Sequence, residues 1–188
     1  GLPADPERAL TVAAGPVERR IDAGVFNDEL FFNVAGIGLD ARIAELFASR
    51  GADRRGFGAY LRISARARWR YRPREYTIHV EEQQLVREAL MITVANSRQF
   101  GNGAQIAPRA RLDDGVLDLV VVEKQPLMGI AARIPAMFRG TLREGPGLTM
   151  RQVRSAVIAV PGDLGFHVDG EPRTARDSIS VATHPQAL

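Results

Sequence analysis

The chain has 188 residues, 45% of them hydrophobic and 25% charged, with no cysteine and a formal net charge of +3. That length fits one domain whose core needs no disulfide or metal staple, and the missing cysteine excludes thiolate nucleophiles, disulfide frameworks and Cys-based zinc sites. His79, His167 and His184 lack the i,i+4 pairing of a zinc-protease helix, and the one lysine, Lys124, ends no glycine-rich run, which excludes a P-loop.

Asp5-Pro6-Glu7 reads as a cap with Pro at the first helical position, opening a short amphipathic helix to Ala14. Ile21–Phe26 and Leu30–Ala35 are β-rich runs joined by Asn27-Asp28-Glu29, the pattern of a hairpin. The second run enters Gly36-Ile37-Gly38, a strand-to-helix turn whose helix N-terminus suits an anion, and Asp40 opens a helical period that ends near Gly51. After an Arg- and Gly-rich loop, Phe57–Tyr71 predicts another helix, stopped by Pro73. Tyr76–Val80 and Leu85–Ala95 predict a second hairpin about Glu81-Glu82-Gln83, and Asn96–Asp114 reads mostly as loop. Leu117–Val122 predicts a buried strand, Pro126–Phe138 a helix kinked at Pro135, and Ala156–Val160, Gly165–Val168 and Ser178–Ala182 three closing strands. Many short strands with hairpin turns and little strand-helix alternation favour a mainly β fold with inserted helices, a two-sheet antiparallel β-sandwich. No run approaches about 18 apolar residues, and Gly1–Asp5 is not a basic leader, so the expectation is a soluble cytosolic chain.

Three further segments carry chemistry. In Phe166-His167-Val168-Asp169-Gly170-Glu171, Asp-Gly signals a hairpin tip that would project the carboxylates of Asp169 and Glu171, a pair able to take a proton from a hydroxyl or hold a metal-bound water. A turn alone accounts for Asp169 and Gly170 but not for Glu171. In Arg111-Leu112-Asp113-Asp114-Gly115-Val116, adjacent carboxylates and turn carbonyls suit a hard cation, against the plainer reading of a tight turn before a strand. On the helix 57–71, Arg62, Arg66 and Arg70 span about 80° of arc with Trp69 about 20° beyond, which is either a solvated face or a surface for anionic lipid. His79 reads as structural, and His167 adjoins the Asp169 turn.

Taken in order, the second hairpin, the loop 96–103, the segment Pro108–Asp118 and Val168-Asp169-Gly170-Glu171 resemble the C-terminal part of the bacterial diacylglycerol kinase and lipid kinase family, and Phe32–Ala41 is similar to its entry into that domain. The resemblance implies a two-domain enzyme. An N-terminal catalytic domain carries a Gly-Gly-Asp-Gly-Thr nucleotide loop, absent from this sequence, and residues 21–188 form the C-terminal β-sandwich that meets the lipid. Residues 1–20 would be a helix left from the upstream domain, and the chain a truncated piece inactive alone. It further implies ATP and Mg²⁺ as cofactors, Glu171 as general base toward a lipid hydroxyl with Asp169 supporting it, and a structural metal site on the Arg111 and Val116 carbonyls and the Asp114 carboxylate. The partners implied are a lipid at the inner face of the membrane, met through Arg62, Arg66, Trp69 and Arg70, and the missing upstream domain; a homodimer is an assembly it admits. A non-catalytic module binding anionic membranes is the alternative. The related NAD kinase group ranks low, because its Thr-Pro-x-Gly-Ser-Thr-Ala-Tyr-like segment is absent, and nucleic-acid binding lower still.

Overall fold

A computed structural model describes residues 3, 5–15, 20–49 and 57–187. The first helix, α1 (Pro6–Ala13), starts as its cap dictates, with the Asp5 carboxylate accepting from the Arg8 N–H at 2.9 Å. Strands β1 (Ala23–Phe26) and β2 (Glu29–Phe31) form the first hairpin across Asn27 and Asp28, both at positive φ. The strand expected over Leu30–Ala35 is two strands. It breaks at Phe32-Asn33, and β3 (Val34–Gly38) turns away from β1 to enter α2 (Leu39–Ala48). Gly51, the expected helix end, and the Arg- and Gly-rich segment before Phe57 lie outside the described residues.

Helix α3 (Phe57–Arg70) follows, then the second hairpin, β4 (Arg74–Val80) and β5 (Gln83–Ala95). The expected loop holds a small hairpin, β6 (Gln99–Gly101) with β7 (Ala104–Gln105), before β8 (Leu117–Glu123) and α4 (Leu127–Phe138). The chain closes with β9 (Leu148–Val153), β10 (Ser155–Val168) and β11 (Glu171–His184). Two of the three expected closing strands are thus halves of one, β10. Pro161-Gly162, which reads as an interruption, sits instead in a register shift between Ala159 and Asp163, where Pro needs no ladder partner.

Strands run in the order β2-β1-β11-β10-β3-β5-β8-β9, and β4 pairs with both β10 and β5. β10 meets β4 through Val157–Ala159 and β3 through Phe166–Val168; β5 meets β4 through its first half and β3 through Val94 and its neighbours. β3, β5, β4 and β10 therefore close a ring, and the two layers of the β-sandwich are continuous through two long strands that bend at their register shifts.

Phe26, Phe31, Ile78, Ile92, Phe166 and Ile179 fill the space between the layers, all 2% exposed or less. The Phe26 ring stands edge-on to Phe31 with centroids 6.3 Å apart, and burial of each such ring contributes about 2–3 kcal/mol. β3 is buried along its whole length because Ala35 and Ile37 face this core while Val34 faces a second one with Ile106, Val120 and Leu148. α2 and α3 pack on each other through Leu39, Ile43 and Ala67 beside the β3 end of the ring.

Candidate functional site

The β10–β11 turn is Asp169-Gly170, at φ 48° and 91°, as the Asp-Gly signal requires. Its two acidic residues are used differently. Asp169 Oδ1 accepts from the Asn33 and Val34 N–H groups at 2.9 Å, Oδ2 accepts from Phe32 N–H at 2.8 Å, and the Asp169 N–H donates to Val34 O. One carboxylate thus satisfies the three donors freed where β2 breaks from β3, so Asp169 does not project as expected but clamps that bend to the hairpin tip. Glu171 opens β11 opposite Val168 and is exposed, and its side chain engages no hydrogen bond or ion pair among the described residues.

Behind the tip lies a buried pair that the sequence does not advertise. His167 is 3% exposed and Asp40 4%, and Nε2 sits 2.8 Å from Asp40 Oδ2. His167 Nδ1 accepts from the Gly170 N–H at 3.3 Å, which leaves Nε2 to carry the proton facing Asp40, and Thr93 donates to the same carboxylate at 3.2 Å. Burial alone would lower the imidazole pKa. The Asp40 charge and hydrogen bonding, with Asp169 behind them, outweigh it, so the pKa is raised above 6.5. The carboxylate occupying the first turn of α2 is therefore the chain's own, where the sequence suggested a site for an external anion. Gly36 makes the pair possible: a Cβ there would run into the Asp40 carboxylate and lie 3.1 Å from His167 Nε2. Only the nearness of His167 to the turn hinted at this in the sequence.

A cavity of about 270 Å³ opens beside the pair. Asp40, His167 and Asp169 are among its lining residues, and Ile43, Phe47 and Phe100 supply apolar wall. On the other side of α2, a wider cleft of about 650 Å³ is lined in part by Arg42, Arg72, Arg74 and Arg173 and by Tyr71.

The expected metal residues sit in the loop before β8, apart from the hairpin. Asp114 Oδ1 accepts from the Val116 N–H at 3.3 Å, and Gly115, at φ 72°, donates to Asp22 Oδ2 at 2.7 Å. Arg111 is exposed, 3.5 Å from Asp113. No cluster of three or more His, Asp or Glu side chains is placed to hold a metal among the described residues. At the start of β8, burial, and then the charge of Asp114, push the Asp118 carboxyl up to about 6, with Arg109 opposing. On α3, Arg62, Arg66, Trp69 and Arg70 are all exposed, the indole at 87%, while Ile63 and Ala67 are buried on a separate, neighbouring arc. No helix among the described residues is long and apolar enough to cross a membrane.

A family model described as "YegS C-terminal NAD kinase beta sandwich-like domain" matches residues 33–188. The chain is 28% identical over its whole length to "Probable lipid kinase YegS-like" of Chromohalobacter salexigens, covering 60% of that protein. It is 28% identical over 93% of its length to the protein so named in Pectobacterium atrosepticum, covering 58%. Among solved structures, a diacylglycerol kinase from Bacillus anthracis str. Sterne superposes over 98% of this chain and 58% of its own, with a TM-score of 0.67 at 16% identity, a likeness of fold. The chain thus spans about three-fifths of the length of the proteins it matches.

Proposed function

The chain belongs to the YegS C-terminal NAD kinase β-sandwich-like domain family, and from that membership we propose that it is the lipid-facing, base-carrying domain of an ATP-dependent lipid kinase that phosphorylates a hydroxyl of diacylglycerol or a related lipid. The observation that carries the reading is the division of labour at the β10–β11 tip. Asp169 is fully engaged in holding the tip to β3, which leaves the Glu171 carboxylate exposed and unpartnered on a rigid mount. Such a group is suited to take the proton from an acceptor hydroxyl as its oxygen attacks the γ-phosphate.

The nucleotide loop would come from a segment beyond this sequence, and the chain by itself would be inactive. Coverage of only about three-fifths of the relatives' length supports this. Mg²⁺ would supply charge neutralisation on the transferring phosphates. A second cation would be held by the Arg111 and Val116 carbonyls and the Asp114 carboxylate, organising the loop that Asp22 ties down. The protein would work at the inner face of the membrane, with Arg62, Arg66, Trp69 and Arg70 as its contact.

The test joins the chain to the nucleotide-loop segment of a relative and measures transfer of phosphate from ATP to a panel of hydroxylated lipids. Glu171→Gln is expected to lower turnover by about 10²–10⁴-fold with little change in lipid KM. Turnover like that of the unsubstituted protein would remove Glu171 as the base, and no transfer to any lipid would remove the kinase reading.

A further inference from the structure

Helix α4 is apolar on its outward face as well as on its inner one, where Ala136 and Met137 pack on the second core. Its one charged side chain, Arg133, points inward, where it donates to Gln125 Oε1 at 2.6 Å, to Gly129 O and to Pro146 O. Its outward positions are Leu127, Met128, Ala131, Ala132, Ile134 and Pro135, every one apolar and exposed, with Met128 at 79% and Leu127 at 56%. At about 100° per residue they cover an arc of about 160°. A single exposed leucine is ordinary, but a helix with a wholly apolar outward face marks a surface that is covered in use.

Two observations say by what. From Lys124 to Arg143 the sequence has four cations and no acid; Lys124 is held by Glu88 at 3.0 Å, while Arg139 and Arg143 are exposed at the C-terminal end of the helix. The bordering acids are Glu123 and Glu144, and Glu123 is paired with Arg87. The second observation is continuity: Arg68 on α3 donates to the Gln125 carbonyl at 3.3 Å, so the N-terminal end of α4 adjoins the helix that bears Trp69 and the exposed arginines. An apolar face rimmed by cations is complementary to an anionic bilayer, whose headgroups take the cations and whose acyl boundary takes the apolar side chains.

We propose that α4 is a membrane-inserting helix, its outward face entering the headgroup and acyl boundary of an anionic bilayer with Leu127 and Met128 leading, while α3 docks on the same surface. The inference rests on the lipid-surface reading above and extends it from a charged contact to an inserted one.

Trp69 is the only tryptophan in the chain, which permits a direct test. In a Trp69→Phe background, Met128→Trp places the one indole on α4. Vesicles of phosphatidylglycerol and phosphatidylcholine with brominated acyl chains are expected to shift its emission to the blue and quench it. Leu127→Asp with Met128→Asp in the native chain is expected to lower the vesicle-bound fraction about tenfold or more. Should that charged pair fail to fold by circular dichroism, the conservative indole variant still decides. An indole at 128 that stays in water, while the unsubstituted chain binds vesicles and Arg62, Arg66 and Arg70→Gln together abolish binding, overturns insertion and leaves the lipid-surface reading standing. A blue shift that appears without vesicles and grows with protein concentration reports a second copy on this face and also overturns it. Failure of the chain to bind any vesicle overturns it too, and the kinase reading is then judged by phosphate transfer and Glu171→Gln.

Discussion

A buried imidazole held against a carboxylate binds its proton more tightly in the folded chain than in the unfolded one, and His167 against Asp40 is such a group. A pKa raised on folding adds stability that is present in full below the unfolded value of about 6.5 and is lost as pH rises through the raised value. Urea denaturation followed from pH 5.5 to 8.5 should therefore show the native chain losing stability across the upper part of that range relative to His167→Asn. Parallel curves for the two proteins would mean that the pair does not exchange a proton on folding. Losing this pair should also loosen the tip, because His167 accepts from Gly170, next to Glu171. Asp169 was legible in the sequence because Asp-Gly is a turn signature, and Glu171 stood out as the carboxylate beside it that the turn does not require. Asp40 and His167 were not legible as a pair, since a helix start and a strand end meet only through the register of β10 on β3. The opposite orientations of the two hairpin carboxylates were equally hidden, because the donors that capture Asp169 come from Phe32, Asn33 and Val34, far away in sequence.

At the scale of elements, the bend in β10 has an identifiable fastener. Arg74, the first residue of β4, donates to Asp163 O at 2.9 Å and to Pro161 O at 2.6 Å, spanning the register shift, while Asp177 accepts from the Gly162 N–H at 2.7 Å. Arg74→Met keeps most of the side-chain stem and removes both donations. It should cost about 1–3 kcal/mol in denaturant unfolding, with weakened amide protection across Ala159–Asp163, and an unchanged midpoint would show that the ladder alone holds the bend. Elements were legible where the hydrophobic period was clean, as in the β4–β5 hairpin and the run Leu117–Val122. They were lost where it was not. β9 is only partly buried between its two end residues and carries Arg151 and Gln152 toward its end, a pattern that reads as loop. β10 was split because Pro161-Gly162 is locally a terminator and becomes tolerable only when a partner supplies bonds from outside the strand.

For the whole molecule, the β-sandwich was legible from strand count and hairpin turns, but its closure was not: that β4 pairs with both β5 and β10 depends on two strands bending, which no local pattern encodes. The closed ring leaves β2 and β9 at the edges of the sheet, one of them three residues long and the other carrying Arg151, which limits strand addition by other chains. β1 lies antiparallel to β11 with Ala23 opposite His184, so the first and last strands of the sandwich meet at the same end. That arrangement has a mechanical consequence. Force applied between the two ends of the chain loads the β1–β11 ladder lengthwise from Ala23, one pair at a time, rather than all its bonds in parallel. In a single-molecule pulling experiment, β1 and its partner β2 should peel away at low force before the ring yields.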